Sequence, residues 1–318
     1  MYRYGPEGHL IHRRENLARL ADLSSLAAAA ANGDILEATA LLCTADHDLI
    51  VDLGGVRGII PRAEGAIGIA DGSVRDIALI TRVGKPVCFT VTALTEQNGQ
   101  PLALLSRREA QERCRAEQID RLRPGDILPA RVTHLEPFGA FLDIGCGIIA
   151  LLPIDAVSVS RISHPRDRFT CGDDIRAVVK SVEDGRITLS YKELLGTWEE
   201  NAARFEPGET VPGVVRSVED YGIFVELTPN LAGLAEPREG VFVGQQASVF
   251  IKSILPEKMK VKLVIVDCFD STFARPAPPV YFTDAAHIDR WVYSPAGCSK
   301  TVFSDFTVEN AAETGYNT

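Results

Sequence analysis

The sequence predicts a mainly β protein built from three small five-stranded barrels joined by helical links. The prediction rests first on a repeat: Gly-Asp-Ile-Leu occurs at residues 33–36 and 125–128, and Pro-Gly-Glu-Thr-Val opens a third block at 207–211. Each block continues with short alternating runs that are typical of half-buried strands. Five short strands in about 70 residues cannot bury both faces as an open sheet, so closure into a barrel is expected.

The remaining elements follow in chain order. An N-terminal helix is expected over about Glu15–Asn32, with its alanine run packed. The three blocks end on strands at 101–106, 186–190 and 260–265. The two links between blocks are charged or amphipathic, and each stops at a Pro-Gly pair before the next strand. In the second link an apolar stripe at spacings of three and four residues predicts packing against a barrel, through Leu194, Leu195, Trp198, Ala202 and Phe205.

These observations divide the 318 residues into seven segments. We expect an N-terminal helical segment at 1–32, barrels at 33–108, 124–192 and 207–268, helical links at 109–123 and 193–206, and a Pro-rich linker with an aromatic C-terminal segment at 269–318. The last segment holds too many aromatic residues for a disordered tail. It is expected to dock on the third barrel; a protein-docking or stacking element around His287, Arg290 and Trp291 is the alternative.

Composition restricts the function classes. Hydrophobic residues make up 46% and charged residues 24% of the chain, and the net charge is −10. Such an acidic chain is unsuited to coating a duplex through its phosphates, although base stacking with a few placed cations stays open. No apolar run is long enough to span a bilayer, and the first residues lack the pattern of a secretory signal. We therefore expect a cytoplasmic protein without a membrane partner.

Motifs for catalysis, metals or cofactors are missing from the sequence. The seven cysteines are scattered without a C-x-x-C pair, and the six histidines do not form an H-x-x-x-H pair. The sequence contains no G-x-S-x-G, Walker-type, H-E-x-x-H or G-x-G-x-x-G motif. We expect a protein that is not an enzyme and that carries no metal and no cofactor.

The second block carries a family resemblance. It reads G-D-x-x-x-A-x-V, then F-G-A-F-L-D, an apolar strand, H-P-x-x-x-F-x-x-G-D, and finally D-G-R-I-T-L-S-Y-K-E. This order resembles the S1 RNA-binding domain, a five-stranded barrel of the OB-fold type. The link that follows resembles the segment between repeats of bacterial ribosomal protein S1. The resemblance covers about residues 33–267, and it is strongest in the second and third blocks.

The resemblance implies which residues would bind RNA. In the second block Phe138 and Phe141 stand where family members present two stacking aromatics, Arg186 matches the cation before the last strand, and Pro153 replaces the usual histidine. The corresponding residues of the third block are Tyr221, Phe224 and Lys260, with Glu236 in place of the histidine. In the first block these positions hold His47, Ile50, Pro61 and Gln100, so the stacking pair is lost.

Two interpretations of these residues remain open. One aromatic of each pair, Phe141 or Phe224, could instead fill the barrel, and the alternating Lys258, Lys260 and Lys262 could be an ordinary solvated face.

For the whole chain, the resemblance implies a protein of translation that binds single-stranded RNA, including mRNA, with the small ribosomal subunit as a partner. The alternative is a protein-docking adaptor whose degenerate barrels have little RNA affinity.

Overall fold

The computed structural model describes residues 2–270 and 278–307, and it contains three closed five-stranded barrels. The first barrel is formed by β1 (Leu36–Cys43), β2 (Leu49–Asp52), β3 (Arg57–Ile60), β4 (Pro86–Gln97) and β5 (Gln100–Ser106). Its strands are hydrogen-bonded in the order β1-β2-β3-β5-β4. The third and fifth strands run parallel, and the other pairs are antiparallel.

The second and third barrels repeat this topology. The second is formed by β6 (Ile127–Glu136), β7 (Gly139–Asp143), β8 (Ile149–Pro153), β9 (Asp174–Glu183) and β10 (Arg186–Ser190). The third is formed by β11 (Thr210–Glu219), β12 (Gly222–Thr228), β13 (Leu231–Ala235), β14 (Gln246–Leu255) and β15 (Lys260–Phe269). In both, the third and fifth strands again pair in parallel. The predicted mainly β fold of three OB-type barrels is therefore confirmed.

The core of each barrel is formed by every second side chain along its strands. In β15 the side chains of Val261, Leu263 and Ile265 are buried. The alternate residues Lys260 and Lys262 are exposed. Because successive side chains of a strand point to opposite faces, one face of each strand fills its barrel. The other face remains available on the outside, and this outer face is where a ligand can bind.

The N-terminal helical segment differs from the single helix that the sequence predicted. The structure has two helices, α1 (Arg14–Leu20) and α2 (Leu23–Asn32). The chain breaks at Asp22, whose carboxylate accepts a hydrogen bond from the backbone N–H of Ser25 and so caps α2. This local cap offsets the cost of interrupting the helix. The alanine run packs as expected, because Leu26 and Ala29 are buried in the core of the first barrel.

The remaining helices lie in the loops and links. A short helix, α3 (Ile77–Ile80), lies between β3 and β4, and α4 (Arg107–Glu117) follows the first barrel. The second link holds only a 3-10 helix, Lys192–Leu195, and the short α5 (Trp198–Ala202). The predicted packing of this link is confirmed, since Trp198 and Ala202 belong to the core cluster of the third barrel. Within residues 2–270 and 278–307, none of the helices has the length and apolar character needed to cross a membrane.

Residues 278–307 of the C-terminal segment form a docked appendage, whereas the predicted Pro-rich linker lies in part outside the described residues. The appendage forms the two-stranded sheet β16 (Arg290–Val292) and β17 (Phe303–Asp305), and Trp291, Tyr293 and Val302 join the core cluster of the third barrel. The expectation of an appendage docked on this barrel is therefore confirmed. Because Trp291 is buried there, the alternative of a stacking element built on its ring is wrong, and the protein-docking alternative around His287, Arg290 and Trp291 stays a prediction.

The chain divides into two compact units. One unit consists of Met1–Leu122 with the loop Asp143–Ile149, and the other of Arg123–Leu142 with Ala150–Thr318. The first unit holds the first barrel, and the second unit holds the third barrel and most of the second.

A buried charge cluster organises the first unit. Arg107 donates two hydrogen bonds to the carboxylate of Glu7, at 2.6 and 3.0 Å. Asp143 accepts hydrogen bonds from the backbone N–H groups of Glu7, Gly145 and Gly147. Burial and the neighbouring Glu7 carboxylate together raise the pKa of Asp143 to about 7.

Asp143 should make the stability of this unit depend on pH. Its pKa is about 7 in the folded protein, whereas an aspartate in an unfolded chain has a pKa of about 3.9. The folded state therefore keeps a proton that the unfolded state releases. We expect the contribution of Asp143 to the free energy of unfolding to fall as the pH rises from about 4 to about 7, by up to about 1.4 kcal/mol per pH unit, and then to level off.

Urea unfolding of the wild type and the Asp143→Asn variant between pH 4 and pH 8 measures this contribution. The difference between their free energies of unfolding should decline with rising pH, because asparagine does not titrate. A difference that stays constant over this range would contradict the raised pKa of Asp143.

Candidate nucleic-acid interface

Two glycines set the geometry of the aromatic pairs. A Cβ atom at Gly139 would lie 2.5 Å from the carbonyl oxygen of Leu152, and one at Gly222 would lie 2.7 Å from that of Ala235. Only glycine allows the second strand to approach the third this closely. The F-G-A-F and Y-G-I-F sequences thus combine a backbone requirement with an aromatic residue on each side of it.

In the second barrel Phe141 points outward from β7, and Phe138 lies beside it in the turn that precedes the strand. Ala140 and Leu142 are fully buried and point into the barrel, so Phe141 between them points outward. Phe138 is 56% exposed, and its ring centroid lies 6.0 Å from that of Phe141 in an edge-to-face arrangement. Phe141 is half-buried. The possibility that Phe141 fills the barrel core is therefore excluded.

The third barrel has the same arrangement on β12. Ile223 and Val225 are fully buried, and Phe224 between them points outward. Tyr221 is 68% exposed, and its ring centroid lies 6.2 Å from that of Phe224, with the rings nearly perpendicular. The second and third barrels therefore each present one exposed ring and one half-buried ring beside it.

Strand register in the third barrel brings a lysine level with Phe224. Phe224 is opposite Leu234 on β13, and Leu234 is opposite Lys262 on β15. Residues paired in this way point to the same face of the sheet. Lys260, which the sequence favoured, is exposed two residues earlier on the same strand. Lys258 lies in a 3-10 helix rather than on the strand, so the three lysines do not form one alternating row.

The second barrel places a threonine at the position of Lys262. Leu151 on β8 is opposite Thr188 on β10. Arg186 is exposed at the start of β10, two residues before Thr188, and therefore lies on the same face. The predicted cation is thus at the edge of the outer face, as Lys260 is in the third barrel.

His134 is a further ring on the outer face that the sequence analysis missed. Its centroid lies 6.2 Å from that of Phe141, with an angle of 31° between the ring planes. The Nε2 atom of His134 is 2.7 Å from a carboxylate oxygen of Glu136. The family histidine is replaced by Pro153 on β8, whereas His134 lies on β6. No sequence signal marked it, because Leu128, Ala130 and Val132 are the buried residues of β6 and continued alternation would have placed His134 on the inner face.

The first barrel has an aliphatic outer face instead. Ile50 is opposite Leu42 and Ile59, and Ile59 is opposite Leu104. His47 lies in the turn before β2 with a left-handed backbone, φ 64°. The structure therefore agrees with the sequence in finding no pair of stacking rings on this barrel.

The fold and the outer faces define a class of protein: tandem OB-type barrels, two of which carry outward aromatic pairs. Residues 121–192 match the family model described as the S1 RNA binding domain. The chain is 31% identical over 251 residues to small ribosomal subunit protein bS1 of Leuconostoc lactis, covering 73% of this chain and 56% of that protein. It is 30% identical over 237 residues to bS1 of Streptococcus pneumoniae, covering 68% and 56% of the two chains.

Residues 121–192 belong to the S1 RNA binding domain family, and the chain is similar to bS1 proteins over 68–73% of its length. It spans about half the length of these bS1 relatives, at 56% of each. Among solved structures, a multidomain protein with nucleic acid binding domains from Streptococcus pneumoniae is 15% identical and aligns over 74% of each chain, with a TM-score of 0.25.

The outward orientation of the rings predicts how the second barrel responds to their removal. The double variant Phe138→Ala with Phe141→Ala should stay folded and lose little stability, because one ring is largely exposed and the other is half-buried. Phe169→Ala is the matched control in the same unit, since Phe169 is buried against Tyr191. This control should lose about 3–5 kcal/mol, as truncated core rings do.

Thermal melts and urea unfolding of the two variants measure these losses. A larger loss in the double variant than in Phe169→Ala would contradict the outward orientation of Phe138 and Phe141.

Proposed function

We propose that this protein binds single-stranded RNA by stacking bases on the outer faces of its second and third barrels. The observation that carries the proposal is the outward aromatic pair on each of these barrels. An exposed ring beside a half-buried one offers a surface on which successive bases can stack, at roughly 1–3 kcal/mol per base. Stacking requires little charge, which suits a chain of net charge −10.

The setting that we propose is translation. The curated relatives are small ribosomal subunit proteins, and the resemblance to them extends over 73% of this chain in the case of Leuconostoc lactis. We therefore propose that the chain acts on mRNA in the cytoplasm, with the small ribosomal subunit as its partner and without catalysis. The adaptor alternative is not favoured, because two of the three barrels keep their stacking rings on the outside.

The three barrels should contribute unequally. The second barrel combines Phe138 and Phe141 with His134 and Arg186, the third has Tyr221 and Phe224 with lysines, and the first has an aliphatic face. The Phe138→Ala, Phe141→Ala double variant should weaken RNA binding by about 2–4 kcal/mol if both rings stack on bases. The Tyr221→Ala, Phe224→Ala double variant should weaken it by less, because the second barrel still binds.

Titration of the full-length variants against a labelled single-stranded RNA measures these effects. Phe242→Ala is the control, because Phe242 is 65% exposed on the third barrel but lies outside the ring pair, in the segment before β14. Its affinity should equal that of the wild type. A folded Phe138→Ala, Phe141→Ala variant with unchanged affinity would reject the proposed function of the second barrel.

Salt dependence tests the balance between stacking and charge. Each phosphate contact of a single strand contributes about −0.7 to the log–log slope of affinity against salt, so a few placed cations should produce a shallow slope near about −2. Duplex RNA should compete poorly, since its bases are already stacked. Binding isotherms between about 50 and 500 mM salt measure the slope. A slope steeper than about −5 would mean that phosphate contacts, rather than stacking, dominate the affinity.

A further inference from the structure

The loop between β8 and β9 of the second barrel is seated on the third barrel. The backbone N–H of Ser160 donates to the carbonyl oxygen of Pro229, and that of Val159 donates to the side-chain oxygen of Asn230. Further along the loop, Arg168 donates to the carboxylate of Glu226 at 2.5 Å. The loop is therefore anchored to the third barrel near both of its ends.

The ionic anchor lies next to the stacking rings of the third barrel. Arg168 and Glu226 have side chains only 7% exposed, and Arg216 on β11 also binds Glu226, at 2.9 and 3.1 Å. Glu226 is two residues beyond Phe224 on β12, so the two side chains share the outer face. Two residues of a strand span about 7 Å. The loop of the second barrel thus reaches the aromatic face of the third.

Two arginines of this loop remain exposed. Residues 161–168 read Arg-Ile-Ser-His-Pro-Arg-Asp-Arg, a basic stretch in a chain of net charge −10. Arg168 is paired with Glu226, and Asp167 is 3.2 Å from Arg216, so these two charges are satisfied internally. Arg161 and Arg166 are exposed, and within residues 2–270 and 278–307 neither forms an ion pair with a carboxylate.

The anchors hold the backbone of both arginines in place. Arg161 directly follows Ser160, which is bonded to Pro229, and Arg166 directly precedes Asp167, which is paired with Arg216. The Nη2 atom of Arg166 lies 3.3 Å from Nε2 of His164, and Arg166 as a whole is exposed. Arginine presents several donors in a planar fork that suits phosphate oxygens.

From this placement we propose that Arg161 and Arg166 form a phosphate-binding site at the junction of the second and third barrels. The site takes the backbone of a single RNA strand that crosses from one barrel to the other. This inference rests on the proposed function, and it adds a binding site outside the aromatic faces. A strand long enough to use both barrels contacts the junction, whereas a strand that fits one barrel does not.

The test compares oligouridylates of about 5 and about 30 nucleotides, because one OB-type barrel covers about 4–16 nucleotides, so that only the longer strand must extend beyond one barrel. The Arg161→Ala, Arg166→Ala double variant of the full chain should lose roughly ten- to thirtyfold in affinity for the longer strand near 0.1 M salt. Its log–log salt slope should become shallower by about 1.4, the value for two phosphate contacts. Affinity for the shorter strand should stay within about twofold.

The matched control is the Arg123→Ala, Arg204→Ala double variant. It removes the same charge from two exposed arginines of the same unit, outside the loop. If the control loses as much affinity for the longer strand as the loop variant does, the effect is general electrostatics and the junction site is overturned. Equal losses on both strands by the loop variant would also overturn it.

The same titrations separate the two proposals. If the wild type binds neither strand, the proposed function fails and the junction site with it. If the wild type binds both strands through the aromatic faces and the loop variant behaves like the wild type, only the junction site fails.

Discussion

The contact between the second and third strands at one glycine is the constraint on which the binding surface depends. At Gly139 and Gly222 any side chain would collide with a carbonyl oxygen of the neighbouring strand. Glycine there lets the strands pair closely through the region where the rings project. The aromatic residues on either side then share the outer face, while the aliphatic residues between them fill the barrel.

The first barrel shows the outcome when this constraint is relaxed. Asp48 occupies the position that corresponds to Gly139, and it bonds locally: its N–H donates to the hydroxyl of Thr44, and its carboxylate accepts from the backbone N–H of Arg62. The barrel still closes with the same strand order. Closure therefore depends on the alternating core, and the ring pair is a separate feature that a barrel can lose without losing its fold.

The buried charges of this acidic protein are arranged in Arg–Glu ion pairs. Glu226 holds Arg168 and Arg216 on the third barrel, and Glu7 holds Arg107 in the first unit. Removing one partner of such a buried pair leaves an uncompensated charge, which is costly. These pairs position loops, while the cations left exposed on the outer faces, such as Arg186 and Lys262, are the ones available to a ligand.

Much of the fold was readable from the sequence because its signals are local. The strand Arg186–Ser190 has the predicted bounds, and the packing of Trp198 and the outward position of Phe138 follow from short patterns. The break between α1 and α2 was missed because the helical pattern continues on both sides of it. Asp22, three residues before Ser25, was the capping signal that could have revealed the break.

Sequence alone determined the number of barrels, and through the family resemblance it identified the aromatic pairs of the second and third barrels. Those features depend on the alternation of apolar and polar residues along each strand and on a glycine that the flanking aromatic residues of the F-G-A-F and Y-G-I-F motifs make recognisable. Only the tertiary structure decided that Lys262 rather than Lys260 is level with Phe224, because that depends on the register between strands distant in the chain. It also decided the burial of Asp143 and the seating of the arginine loop on Glu226. Both arise from charges that meet only after folding, and no local pattern specifies which charges will meet.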